Sequence, residues 1–127
     1  MSARTDAGPL LVALLRRGEP VTFTARGASM WPTVRDGALL DVRPCPPETL
    51  REGDLAAFER RGSLVVHRVL SVGDGALVTA GDGLSRPDEA VPFRAVLAQA
   101  TLRTQPPWRW TQLRPAHVVT ALRWARR

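Results

Sequence analysis

The chain has 127 residues, 44% of them hydrophobic and 24% charged, with 11 prolines and 10 glycines. That is the length of one domain, with enough apolar sequence for a core and many turns. The formal net charge is +6, but residues 1–102 hold twelve arginines against twelve acidic residues; the excess lies in Arg103, Arg109, Arg114, Arg123, Arg126 and Arg127, which excludes a uniformly basic nucleic-acid-binding domain.

Asp6-Ala7-Gly8-Pro9 followed by an apolar run to Leu15 predicts a short helix. Asp6 would cap it, Pro9 suits its first turn, Arg16 and Arg17 suit its C-terminal dipole, and Gly18 can end it. The run is far below the roughly 20 residues that cross a membrane. Arg16-Arg17 stands where a signal peptide would place small residues, so the mature protein is expected to be the whole chain. The helix is expected to pack on a sheet; docking to a membrane or partner is the alternative.

From Val21 the pattern turns to β. Val21, Phe23 and Ala25 alternate with polar residues and lead into Arg26-Gly27-Ala28-Ser29-Met30-Trp31-Pro32. Ala38 to Val42 predicts a second strand, closed by the proline cluster from Pro44 to Pro47. The cluster holds the one cysteine, Cys45, which excludes an intramolecular disulfide and a cysteine metal cluster and reads as a buried or loop thiol. Glu52-Gly53-Asp54 is a turn and Leu55 to Phe58 a third strand. Ser63 to Val72 is the longest and most β-branched segment, and Gly73-Asp74-Gly75 a hairpin turn after it. Ala76 to Thr79 returns, Gly81-Asp82-Gly83 opens a polar loop through Asp88, and Val91 to Leu102 supplies one or two last strands. Many short strands with frequent turns predict a mainly antiparallel β domain over residues 19–104, after an N-terminal helix over 1–18.

Residues 105–127 form a basic tail. Trp108, Trp110 and Trp124 sit there among arginines with no acidic residue, and helical spacing begins at about residue 115. Two readings stand: a helix that closes the β domain, or peripheral contact with an anionic membrane through these tryptophans and the tail arginines.

Ser29 lies after two small residues, where a strand gives way to a loop. Its hydroxyl and backbone N–H are suited to attack and to meet a substrate carbonyl. A serine nucleophile needs a base, and lysine is absent, leaving His67 and His117. His67, mid-strand in Val65-Val66-His67-Arg68-Val69, is the stronger candidate, and His117 in the tail the weaker. Asp82 and Asp88 follow the His67 hairpin, and either could orient the imidazole. Such a base should titrate near the ordinary value of about 6.5, and higher if a carboxylate stabilises its cation.

Gly27-x-Ser29-Met30-x-Pro32-Thr33, Asp36-Gly37, Glu52-Gly53-Asp54, Val66-His67-Arg68-Val69, and Gly81-Asp82 with Asp88 occur in that order. The set, spanning roughly residues 21–100, resembles the signal peptidase I family of serine endopeptidases. The resemblance is closest to its endoplasmic-reticulum, archaeal and sporulation-type branch, in which histidine replaces lysine as the base. It implies a compact, complex β-sandwich-like domain with an open groove. It also implies Ser29 as nucleophile, His67 as general base, Asp88 as the acid orienting the histidine and Asp82 as a supporting acid. Gly27, Ala28, Met30 and Pro32 would shape the oxyanion and substrate-binding loop around Ser29. Gly27 stands where the family often has a serine that helps bind the oxyanion. Family members usually carry a transmembrane anchor, and no segment here supplies one.

The sequence therefore predicts a serine endopeptidase acting on a leader, signal or precursor peptide held in extended form. It would work without metal or cofactor, in the cytoplasm or peripherally at the inner face of the membrane. The alternative is a catalytically idle peptide-binding or maturation module of the same fold.

Overall fold

A computed structural model describes residues 2–3 and 7–106. Asp6, the expected helix cap, lies outside the described residues, as do His117, Trp108, Trp110, Trp124, the arginines after Arg103 and the expected C-terminal helix.

The first helix, α1 (Gly8–Arg16), begins at Ala7 with Pro9 in its first turn. Gly18, at φ +84°, ends it by donating its N–H to the Leu15 carbonyl, a left-handed closure that glycine adopts without cost to a Cβ. Val12 and Leu15 are buried with Leu64, Val66 and Ala98, so the helix packs on the sheet.

The strands are β1 (Ser2–Ala3), β2 (Val21–Thr24), β3 (Leu39–Pro44), β4 (Leu55–Arg60), β5 (Ser63–Val72), β6 (Ala76–Ala80), β7 (Val91–Pro92) and β8 (Val96–Thr104). The protein is mainly β, as its turn-rich pattern predicts. All pairings are antiparallel, in one sheet ordered β2-β3-β8-β4-β5-β6-β7, with β1 added to β5 at Ser2↔Val65 and Ala3↔Leu64. Val91 to Leu102, expected as one or two strands, falls in two strands, β7 and β8, divided by a 3₁₀ turn at Phe93–Ala95.

Two short turns fix the register that matters for the site. Arg61 and Gly62, both at positive φ, join β4 to β5 in a two-residue hairpin, the backbone twist such tight connections favour. Arg60↔Ser63 then leads residue by residue to Ala56↔His67. A slip of one residue would turn His67 to the opposite face of the sheet. Beyond β5, Gly73 to Gly75 reverses the chain so that β6 places Thr79 opposite Val69.

β5 is buried on both faces, which explains its nearly unbroken apolar run. Leu64 and Val66 join a core cluster with α1 and with Ala25, Met30, Val34 and Ala38 from the segment between β2 and β3. Val65 and Val69 belong to a second cluster with Phe58, Leu77 and Val91, and the His67 ring meets Phe58 edge-on at 6.1 Å between centroids. Among the described residues, no helix is long and apolar enough to cross a membrane.

Candidate active site

Ser29 is presented by a segment anchored at both ends. The Ala25 N–H donates to the Ala38 carbonyl and the Gly37 N–H to the Ala25 carbonyl, closing the base of the loop. Met30 and Val34, one helical turn apart and joined by a Val34 N–H to Met30 carbonyl bond, are fully buried. Ser29 precedes that anchor and stays half-buried, so a well-packed apolar side chain holds a polar one at the surface. The Trp31–Pro32 peptide is cis, and Pro32 is half-buried.

Across from this segment, His67 Nε2 lies 3.2 Å from Ser29 Oγ and its Nδ1 2.6 Å from Asp88 Oδ2. The structure thus brings Ser29, His67 and Asp88 into one chain of contacts. Burial works to raise the Asp88 carboxyl, yet hydrogen bonds from His67 and Thr79, with the positive charges of His67 and Arg60, hold it below its ordinary value. An ionised carboxylate only accepts, so His67 carries its proton on Nδ1. Nε2 is then a lone pair facing the Ser29 hydroxyl.

The His67 titration differs from its sequence expectation. Burial lowers its pKa below the usual 6.5, against the hydrogen bond and charge of Asp88, which act to raise it. The carboxylate is present, but desolvation in the apolar setting beside Phe58 outweighs it. The consequence is a neutral imidazole at neutral pH.

Asp82 makes no hydrogen bond to His67, although its charge acts to raise the His67 pKa, and forms a two-pronged pair with Arg68: Nε donates to Oδ1 at 2.9 Å and an Nη to Oδ2 at 2.7 Å. Arg68 also donates to the Gly53 carbonyl at 2.7 Å. One guanidinium therefore ties β5 to both the Glu52-Gly53-Asp54 turn and the loop after β6. The Asp82 carboxylate is buried, and its own N–H points to the Met30 sulfur at 3.2 Å. Gly81 lies so close to the serine that a Cβ there would overlap the Ser29 carbonyl oxygen and sit 3.2 Å from His67 Nε2.

Gly27 is at φ +97°, and its N–H donates to Asp36 Oδ1 at 2.8 Å. That amide shapes the loop and is already engaged, whereas among the described residues no acceptor is paired with the Ser29 N–H. Ala28 contributes its carbonyl to the Trp31 N–H. A hydroxyl beside a neutral, carboxylate-oriented imidazole, next to an available amide, has the parts for base-assisted nucleophilic attack.

Burial pushes the Cys45 thiol up, which keeps it protonated and a poor nucleophile. Among the described residues, no group of three or more His, Cys, Asp or Glu side chains is placed to hold a metal ion. A surface depression of about 350 Å³ lies elsewhere, on β2 and β3, lined by Thr22, Asp41, Arg43 and Arg103; no histidine lines it.

Two residues of the site are not apparent from the sequence. Thr79, in an alternating strand, looks like ordinary β propensity, and Arg68, though inside the Val66-His67-Arg68-Val69 motif, carries no sign of the partner it meets. Only the side chains they meet distinguish them. Neither a known family model nor a curated protein matches the chain.

Proposed function

We propose that the protein is a serine endopeptidase of the signal-peptidase type that cleaves leader, signal or precursor peptides through an acyl-enzyme. The observation that carries this reading is the contact chain from Ser29 Oγ to His67 Nε2, 3.2 Å, and from His67 Nδ1 to Asp88 Oδ2, 2.6 Å. The ordered motifs that resemble the family's histidine-dependent branch support it independently.

In this mechanism His67 Nε2 takes the Ser29 hydroxyl proton as Oγ attacks the scissile carbonyl, and Asp88 stabilises the imidazolium that forms. The Ser29 N–H donates to the developing oxyanion. The C–N bond then breaks, with the Nε2 proton passing to the leaving amine. Water, activated by the same nitrogen, attacks the ester, and the carboxylate product leaves with Ser29 Oγ reprotonated. Gly27 supplies shape to the loop, not a second oxyanion donor, because its N–H is held by Asp36. The substrate binds extended, as peptides do when they add to sheet edges. The protein acts in the cytoplasm, and the tryptophans and arginines of the tail attach it peripherally to the inner face of the membrane.

The test is digestion of a mixed synthetic peptide library, read by mass spectrometry for new termini. The wild type is expected to generate them and Ser29→Ala to generate none. Equal cleavage by both would overturn the assignment. Peptide binding without cleavage by the wild type would make the chain an idle module.

A further inference from the structure

The acid of this site comes from a loop, and a loop residue needs something rigid to hold it. Asp88 follows a stretch without regular structure after β6 and is itself only partly buried. Its position is gripped twice by one strand residue. The Asp88 N–H donates to the Thr79 carbonyl at 2.8 Å, and Thr79 Oγ1 donates to Asp88 Oδ2 at 2.7 Å. Thr79 is fully buried in β6, opposite Val69 of β5.

The choice of oxygen matters. Oδ2 accepts both the Thr79 hydroxyl and His67 Nδ1. The backbone bond holds the residue, and the hydroxyl bond restrains the rotation of the carboxylate about its last torsion independently of the imidazole it faces. That torsion is broad and roughly two-fold when unrestrained. A β-branched threonine keeps its own hydroxyl direction with little rotamer freedom, which serine does less well and valine not at all.

We infer that Thr79 is a positioning residue of the site: its hydroxyl locks the Asp88 carboxylate so that Oδ2 faces His67 Nδ1 and holds the imidazole aimed at Ser29. The inference deepens the peptidase reading and rests on it for its kinetic consequence. Charged groups near the pair include Arg60, which donates to the Glu89 and Ala90 carbonyls beside Asp88, and the ion pair between Arg68 of β5 and Asp82 of the loop after β6. None of them is altered by a change at Thr79, so an effect on His67 can be assigned to the hydroxyl.

The experiment compares wild type, Thr79→Val and Thr79→Ser, each also in a Ser29→Ala background, by proton NMR of the His67 Nδ1–H. A short N–H···O bond to a carboxylate gives a downfield, slowly exchanging signal. It is expected in the wild type and Thr79→Ser, and lost or moved upfield in Thr79→Val. For a library peptide cleaved by the wild type, kcat/KM should fall by about tenfold in Thr79→Val through kcat, with KM nearly unchanged, and recover in Thr79→Ser. An unchanged Nδ1–H signal with unchanged kcat in folded Thr79→Val would overturn the inference. Should Thr79→Val not fold, Thr79→Cys replaces the hydroxyl with a poor donor and is held to the same two outcomes. The NMR arm needs no turnover: a chain without peptidase activity but with the expected Nδ1–H pattern fails the functional reading and keeps the positioning one.

Discussion

The carbonyl oxygen of Ser29 accepts the N–H of Gly83 at 2.7 Å. The segment carrying the hydroxyl and the loop carrying both acids are therefore joined directly, next to a glycine that leaves no room for a side chain. Gly81→Ala puts a methyl group against the Ser29 carbonyl and forces the two segments apart. Its peptidase activity should fall by about 100-fold, the cost of a displacement on the order of 1 Å at a reacting pair. Circular dichroism should show the β structure retained. Wild-type activity in Gly81→Ala would mean that the close approach has no part in the reaction.

The pH dependence follows from the lowered His67 pKa. The neutral imidazole is the active form, so kcat/KM should rise with pH through a midpoint below 6.5 and stay level at neutral pH. Linkage gives stability the same sign. The unfolded chain holds the His67 proton more tightly than the folded one, so stability is complete above pH 6.5 and declines as pH falls below it. Asp88, lowered as well, adds a second loss as pH falls below its ordinary carboxylate value of 3.8. Urea midpoints measured between pH 8 and pH 3 check the sequence of losses. A midpoint of the rate profile above 6.5 would show that Asp88, not burial, dominates the histidine.

Asp82 and Asp88 were indistinguishable as partners for His67 when only their positions along the chain were known. Their contacts separate them. Asp88→Asn keeps the shape but can present a donor to Nδ1, and its rate should drop by about 100-fold or more, well beyond what any loss of stability explains. Asp82→Asn leaves the partly buried Arg68 without its counter-charge and should cost about 3 kcal/mol of stability, read from urea unfolding. The reverse pattern would exchange the two roles.

Much of the fold is legible in the sequence because its punctuation is strong. Gly18 ends α1, the glycines around Asp74 reverse β5, and the alternation of Val21, Phe23 and Ala25 marks the approach to Ser29. The hairpin at Arg61-Gly62 is less visible, since arginine rarely takes positive φ, yet it sets the register that places His67. β3 runs on through Pro44, which fits because proline is its last residue. Ser29 and His67 stand out from the residues themselves, whereas Asp88 is separated from Asp82 only by what the family resemblance implies. The supporting contacts were not readable, because Arg68–Asp82 and Thr79–Asp88 form between a strand and a loop whose path only the packed structure defines.

The tail gives a prediction independent of the site. Three tryptophans and five arginines after residue 105, with no acid, should bind anionic vesicles and release them as salt rises. Co-sedimentation with anionic and with neutral vesicles, each at low and high salt, checks this. Equal binding to both lipids, or none, would remove the membrane role.

The most direct measurement of the central claim, that Ser29 and His67 act as one unit, is a double-mutant cycle on peptide cleavage. Wild type, Ser29→Ala, His67→Ala and the double variant are compared by kcat/KM on one library peptide, with folding verified for each. Members of a nucleophile–base unit lose activity together, so each single variant should fall to nearly the level of the double. Retention of most activity by His67→Ala, or losses that multiply in the double variant, would contradict it.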